Sequence, residues 1–172
     1  MALYLTEEDV AALLTPADAV EAVEGSFRRL AAGAVENAPR RRLALEDGRL
    51  ADMAASDVEL GYAGAKVYAG FHGGASFVVV LFRADAPELV AVLEADNLGR
   101  LRTGAASGVA ARHLAREGAS TLGVIGCGSQ AETQVACVRA AVGWVGLHRV
   151  RIAGREEGEA PESSNDGAHA TG

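Results

Sequence analysis

A glycine-rich turn between an apolar strand and a helix carries the clearest chemical signal in the sequence. Residues 121–125 predict a short buried strand, GCGSQA at 126–131 follows directly, and a helical pattern begins after it. A G-x-G-x-x-G/A turn in this setting brings backbone and free helix N–H groups close to a dinucleotide's diphosphate. The context favours nucleotide binding, and an ordinary glycine-rich strand–helix turn is the alternative.

The residues around this turn also bear on which dinucleotide would bind. Gly126 permits the tight turn, Gly128 lets the backbone approach a pyrophosphate, and Ala131 is small enough for close helix–strand packing. A second strand is predicted at 149–153, and Arg155 follows where the NAD pattern has an acid. An arginine suits a 2′-phosphate, which favours NADP slightly over NAD. The alternatives are that Arg155 stacks on the adenine or faces water.

Three cationic segments are candidates for binding an anion. Arg40 and Arg42 share one face of an extended segment and Arg41 takes the other. From this segment alone, a solvated edge strand that resists aggregation is the favoured interpretation. Lys66 lies in the predicted strand GYAGAKVYAGF, either reaching water at an edge or held for an anionic ligand.

The third segment opens a predicted helix over 98–115. Arg102 and Thr103 place a cation and a hydroxyl near its N-terminus, which suits an anionic group. The alternative is a helix packed by its small residues, with Arg102 facing water. Before it, the strands between residues 40 and 93 predict an antiparallel β-meander, preceded by helices that begin after Thr6 and Thr15.

Composition narrows the class of protein. The 172 residues are 49% hydrophobic and carry a net charge of −7, which argues against nucleic-acid and anionic-membrane partners. No apolar run is long enough to span a bilayer, and the N-terminus lacks a basic signal-peptide region. Two cysteines and four scattered histidines predict neither a disulfide framework nor a metal site. We therefore expect a cytoplasmic protein.

Two long segments together resemble the ornithine cyclodeaminase/mu-crystallin family, which includes ketimine reductases and some alanine dehydrogenases. They are LEADNLGRLRTGAASGVAARHLA at 93–115 and TLGVIGCGSQAETQV at 121–135, and PRRR and GAKVYAGF resemble upstream motifs of the same family. The resemblance implies an α/β fold, with an N-terminal α+β substrate-binding and dimerisation domain and a Rossmann domain, and a homodimer. On this basis we expect domains at 1–118 and 119–155, the second an incomplete Rossmann unit. The polar residues 156–172 predict a disordered tail.

The resemblance also implies roles for individual residues. Arg40, or alternatively Arg42, and Lys66 would hold the carboxylate of a small amino acid, keto acid or cyclic imine. The cofactor-binding residues would be those at the helix start and the turn, namely Arg102, Thr103, Gly126, Gly128, Ser129, Gln130 and Arg155. Arg102 would also lie near the substrate, and the chemistry would be hydride transfer with NAD or NADP.

Two departures from the family pattern shape the functional expectation. Ala51 stands where cyclodeaminases place an acid for the distal amine of ornithine, which argues against ornithine as the substrate. The family's catalytic aspartate is expected beyond residue 172, so we expect a truncated chain with impaired activity. The alternative is a non-catalytic binding or dimerisation module of the same family, similar to mu-crystallin.

Overall fold

A seven-stranded mixed sheet forms the larger part of the computed structural model, which describes residues 1–143 and 149–153. Its strands are β1 (Leu3–Leu5), β2 (Val35–Asn37), β3 (Arg41–Leu45), β4 (Gly48–Asp57), β5 (Tyr62–Phe71), β6 (Gly74–Arg83) and β7 (Leu89–Glu94). The spatial order is β1-β7-β6-β5-β4-β2, and β3 also pairs with β4. The antiparallel meander is confirmed, whereas the parallel pairing of β1 with β7 was not predicted.

Of the four helices in the described part of the chain, three pack together into a hydrophobic core. The helices are α1 (Glu7–Leu13), α2 (Pro16–Ala31), α3 (Asp96–Leu114) and α4 (Ala131–Val142). Val20 of α2, Ala105 of α3 and Cys137 of α4 are completely buried where these helices meet. Helices α1 and α2 begin after Thr6 and Thr15, as predicted, and each threonine forms a reciprocal capping box with the aspartate three residues later.

A smaller parallel sheet pairs β8 (Thr121–Ile125) with β9 (Arg149–Ala153), and α4 lies between these two strands in the chain. Glycines bring α3 unusually close to α4. A Cβ atom on Gly104 would lie 2.4 Å from the carbonyl oxygen of Thr133, and one on Gly108 would lie 2.7 Å from that of Cys137. This close packing attaches the strand–turn–helix unit to α3. The expected domain boundary after residue 118 stays a prediction.

Two element boundaries differ from those predicted. The helix expected from residue 98 begins at Asp96, because the Glu7 carboxylate accepts hydrogen bonds from the first backbone N–H groups of α3. The sequence FHGGA at 71–75 predicts a loop between two strands. The structure has mostly strand there, because Gly73, with φ of +106°, closes a tight hairpin between β5 and β6. The expected tail at 156–172 lies outside the described residues.

A buried carboxylate ties α2 to the C-terminal end of α3. Glu24 accepts hydrogen bonds from Arg28 at 2.6 Å and from Arg112, and it lies 2.9 Å from His113 Nε2. The hydrogen bonds from Arg28 and His113 lower the pKa of Glu24 to about 2, against the opposing effect of its burial. Glu24 therefore stays ionised and neutralises cations from two helices.

Over the described ranges, no helix is long and apolar enough to cross a membrane. The same residues contain no group of three or more histidine, cysteine or acidic side chains that could hold a metal ion.

Candidate functional site

The register of the large sheet places polar and aromatic side chains on one face. Met53 pairs with Lys66, and Lys66 pairs with Val79 on the next strand. Two residues along each strand, Tyr68 pairs with Phe77. Because side chains alternate between faces, Lys66, Tyr68 and Phe77 all point toward the same side, where α3 begins.

A small cavity of about 190 Å³ lies between this sheet face and the N-terminal half of α3. Its lining residues are Arg40, Met53, Lys66, Tyr68, Phe77, Asp96, Gly99, Arg100, Arg102, Thr103 and Gln130. The three cations singled out in separate segments, Arg40, Lys66 and Arg102, thus line one cavity. We call it the cationic cavity.

Lys66 lines this cavity and is partly removed from water. Its Nζ atom is 4.7 Å from the centroid of the Phe77 ring and 5.9 Å from that of Tyr68. A Cβ on Gly99 would lie 2.9 Å from this Nζ, so glycine makes room for the ammonium. Burial, followed by the charges of Arg102 and Arg40, lowers the pKa of Lys66, although Asp96 opposes the shift.

The cationic cavity has more positive than negative charge. Arg40 stacks over Tyr68, 5.9 Å from the ring centroid, and its Nε donates to the Met53 sulfur at 3.4 Å. Among the described residues, none of Arg40, Lys66 and Arg102 forms an ion pair. Among the described residues, Asp96 is the one acid that lines the cavity, and it is paired with Arg100 four residues along α3. Such a cavity suits a small carboxylate, which would supply the missing negative charge.

The glycine turn has a backbone that fits a diphosphate. Gly126 has φ of +95°, a conformation that side chains rarely allow, and its N–H donates to the Ala153 carbonyl at 2.6 Å. A Cβ on Gly128 would meet open space, which leaves the approach to the backbone clear. Within residues 1–143 and 149–153, no side chain caps the N-terminus of α4, so its positive end remains available to an anion.

The turn and the cationic cavity adjoin each other. An open cleft of about 920 Å³ is lined by Ser129 and Gln130 and by the β3–β4 and β5–β6 hairpin turns. Gln130, Arg100 and Tyr68 line both this cleft and the cationic cavity. A dinucleotide bound at the turn would therefore reach the place where a carboxylate would be held.

The remaining site residues fall in different places. Thr103 lines the cationic cavity, and its hydroxyl donates to the Gly99 carbonyl at 2.7 Å. Arg42 is exposed on the same strand face as Arg40 but does not line the cavity. Arg41 takes the opposite face, as expected, and forms a 3.0 Å ion pair with Asp52. Arg155 lies outside the described residues, and the assigned roles all stay predictions.

Several lining residues were missed by the sequence analysis. Tyr68 could have been found, because it follows Lys66 by two residues on a strand. Asp96 and Arg100 have the i, i+4 spacing of a helical ion pair, yet nothing local says that they border a cavity. Phe77 reaches the site only through the pairing of β5 with β6, which a sequence does not display directly.

The fold and site define an α/β protein with a dinucleotide-type strand–turn–helix next to a cationic cavity. Comparison with known proteins is more specific. The family model described as "Ornithine cyclodeaminase/mu-crystallin family" matches residues 2–167. The chain belongs to this family, which confirms the resemblance and the expected fold class.

Individual relatives agree with this assignment. An alanine dehydrogenase from Archaeoglobus fulgidus is 40% identical over 144 residues, covering 80% of the chain and 44% of that protein. A probable ornithine cyclodeaminase from Bordetella pertussis superposes with a TM-score of 0.81 at 28% identity, covering 94% of the chain and 50% of the other. An archaeal alanine dehydrogenase dimer with bound NAD superposes with a TM-score of 0.79 at 34% identity. This match covers 88% of the chain and 48% of the other protein. The chain spans about half the length of the curated relatives it matches.

Proposed function

We propose that the protein binds a nicotinamide dinucleotide at the glycine turn and a small carboxylate-bearing amino acid, keto acid or cyclic imine in the cationic cavity. The function is hydride transfer at the carbon next to the carboxylate. The convergence of Arg40, Lys66 and Arg102 on one cavity beside Gln130 carries this proposal. The alanine dehydrogenase relatives and the NAD complex support the classes of substrate and cofactor.

In this proposal the chain's own residues bind and orient both ligands. Arg40 and Arg102 donate hydrogen bonds to the carboxylate, and Lys66 holds the adjoining oxygen or nitrogen with its ammonium. Tyr68 and Phe77 form the apolar floor that keeps water from Lys66. The bound nicotinamide supplies the hydride chemistry.

Titration with NADH tests the proposed dinucleotide binding at the glycine turn. NADH fluorescence should change on binding to the wild-type chain, and Gly126→Ala should weaken this binding because the turn needs a positive φ. Gly118→Ala is the matched control, since Gly118 also has a positive φ but lies outside the turn. Equal NADH affinity in the wild type and Gly126→Ala would contradict dinucleotide binding at this turn.

The preference for NADP stays a proposal that rests on Arg155. Competition between NADH and NADPH for the wild-type chain measures it directly. Tighter binding of NADPH, lost in Arg155→Ala, is the expected result. Tighter binding of NADH would show that Arg155 does not contact a 2′-phosphate.

We further propose that the 172-residue chain turns over slowly, because the described residues that line the cationic cavity offer no unpaired acid for proton transfer. Asp96, the acid present, is engaged by Arg100. Oxidation of NADPH in the presence of pyruvate and methylamine, or of a cyclic ketimine, measures this. Robust turnover by the purified chain would refute slow catalysis while leaving the binding proposal intact.

A second candidate function is a non-catalytic dimerisation module, and the outer face of the large sheet favours it. Leu43, Val67, Val78 and Phe82 are exposed on the face opposite the cationic cavity. A second copy of the chain packing on this apolar face would bury them, and one solved relative is a dimer. Sedimentation should give a dimer for the wild type and a monomer for Val78→Lys. A wild-type monomer would exclude this arrangement.

A further inference from the structure

The first turn of α3 is capped by a residue almost ninety positions earlier in the chain. Ala95 precedes the helix and offers no side-chain cap. Instead, the two carboxylate oxygens of Glu7 accept hydrogen bonds from the backbone N–H groups of Asp96 at 2.6 Å and Asn97 at 2.9 Å. Glu7 thus takes the place that a local N-cap residue usually fills.

Glu7 is itself held in position by the large sheet. Its backbone N–H donates to one carboxylate oxygen of Glu94 at 2.9 Å, at the end of β7. The other oxygen of Glu94 accepts from the Tyr4 hydroxyl of β1, also at 2.9 Å. Because β1 and β7 pair in parallel, these contacts fix the start of α1, and with it Glu7, relative to the sheet.

The segment that Glu7 caps carries nearly half of the cationic cavity's lining. Asp96, Gly99, Arg100, Arg102 and Thr103 all belong to the first two turns of α3. A Cβ on Gly99 would lie 2.9 Å from the Lys66 Nζ, so this turn of α3 runs close to the ammonium. The Glu7 carboxylate also offsets the positive end of the helix dipole beside the cavity's cations.

We propose that Glu7 is a positioning residue for the carboxylate site: it anchors the N-terminus of α3 to the sheet, so that Arg102 stays opposed to Lys66. This inference rests on the proposed function of the cationic cavity. Glu7 does not line that cavity, and it acts through the backbone of α3. The glycine turn depends on a different contact, the packing of α4 on the later part of α3, so its affinity should be independent of Glu7.

Two titrations on the full chain test this role, with oxalate as a small carboxylate probe and NADH as a probe of the turn. Glu7→Ala should weaken oxalate binding about tenfold, since it loses two charge-assisted hydrogen bonds at the helix start. NADH affinity should change less than about twofold. Glu8→Ala is the matched control, because Glu8 is an exposed acid in the same helical turn, and it should leave both affinities unchanged.

A conservative variant keeps the test decisive if Glu7→Ala does not fold. Glu7→Gln retains one oxygen that can accept a hydrogen bond, so it should recover most of the oxalate affinity. Its effect is compared with that of Glu8→Gln in the same two titrations.

The outcomes separate the positioning role from the proposed function. Oxalate binding that is equal in wild type and Glu7→Ala would overturn the positioning role alone. A parallel loss of oxalate and NADH affinity would also overturn it, because it would indicate general destabilisation. A wild-type chain that binds NADH but not oxalate would remove the proposed carboxylate site itself, and the role of Glu7 with it.

Discussion

Cations gather at both ends of α3, but in the described part of the chain Lys66 and Arg102, at the N-terminal end, form no ion pair. At the C-terminal end, Arg112 and His113 meet the buried carboxylate of Glu24, and Arg112 also contacts Glu21 at 2.9 Å. At the N-terminal end, burial and then the charges of Arg102 and Arg40 lower the pKa of Lys66. The difference distinguishes a cluster that stabilises the fold from one arranged for an external anion.

The largest expected effect comes from the close packing of α3 against α4, between the two ends compared above. Gly104→Ala should lower the free energy of unfolding by about 1–3 kcal/mol, because the new Cβ would clash with the Thr133 carbonyl of α4. Urea titration measures the change. Gly123→Ala is the control, since a Cβ there meets nothing within 4 Å. An unchanged unfolding midpoint for Gly104→Ala would show that α3 and α4 are less closely packed than described.

The free energy of unfolding should depend strongly on Glu24, the acid that pairs with the C-terminal end of α3. Glu24→Gln should lower the free energy of unfolding at pH 7, because it leaves Arg112 and His113 beside a neutral side chain. Glu21→Gln should have a smaller effect, since the side chain of Glu21 is 70% exposed. Equal effects of the two substitutions would contradict a central role for Glu24.

The lowered pKa of Glu24 predicts that stability depends on pH. The pKa of Glu24 is lowered from 4.5 to about 2 in the folded state, so its contribution is present above pH 4.5 and disappears as the pH falls toward 2. The difference in stability between wild type and Glu24→Gln should therefore shrink over this interval. Urea titrations at several pH values measure it, and a difference that grows on acidification would reverse the assigned sign.

The smallest expected effect is at the N-terminal end of α3, at Lys66. Because the folded cavity lowers the pKa of Lys66, the charged lysine opposes folding, and Lys66→Met should stabilise the free protein. The side chain keeps considerable solvent exposure, so screening limits the gain to less than about 1 kcal/mol. Thermal unfolding without ligand measures the gain. Arg28→Met is the control and should give no increase in melting temperature, because Arg28 is paired with Glu24. A lower melting temperature for Lys66→Met would indicate that Lys66 is satisfied within the protein.

Local patterns in the sequence predict much of the fold and part of the site. Alternating strands, capping threonines and the turn around Gly126 are short-range features, and each predicts its own element. The convergence of Arg40 with Lys66 and Arg102 depends on strand register and on where α3 lies, so the family resemblance was needed to anticipate it. Glu7 was not anticipated at all, because the helix that it caps begins almost ninety residues later.

Isothermal titration calorimetry of oxalate into three versions of the chain tests the central claim most directly. Wild type and Arg28→Met should bind oxalate with the same affinity, because Arg28 is paired with Glu24 and its side chain is 74% exposed. Arg102→Met should bind oxalate at least about tenfold more weakly, since it removes a cation from the cavity. Equal oxalate affinity in wild type and Arg102→Met would contradict the assignment of the unpaired cations to a carboxylate ligand.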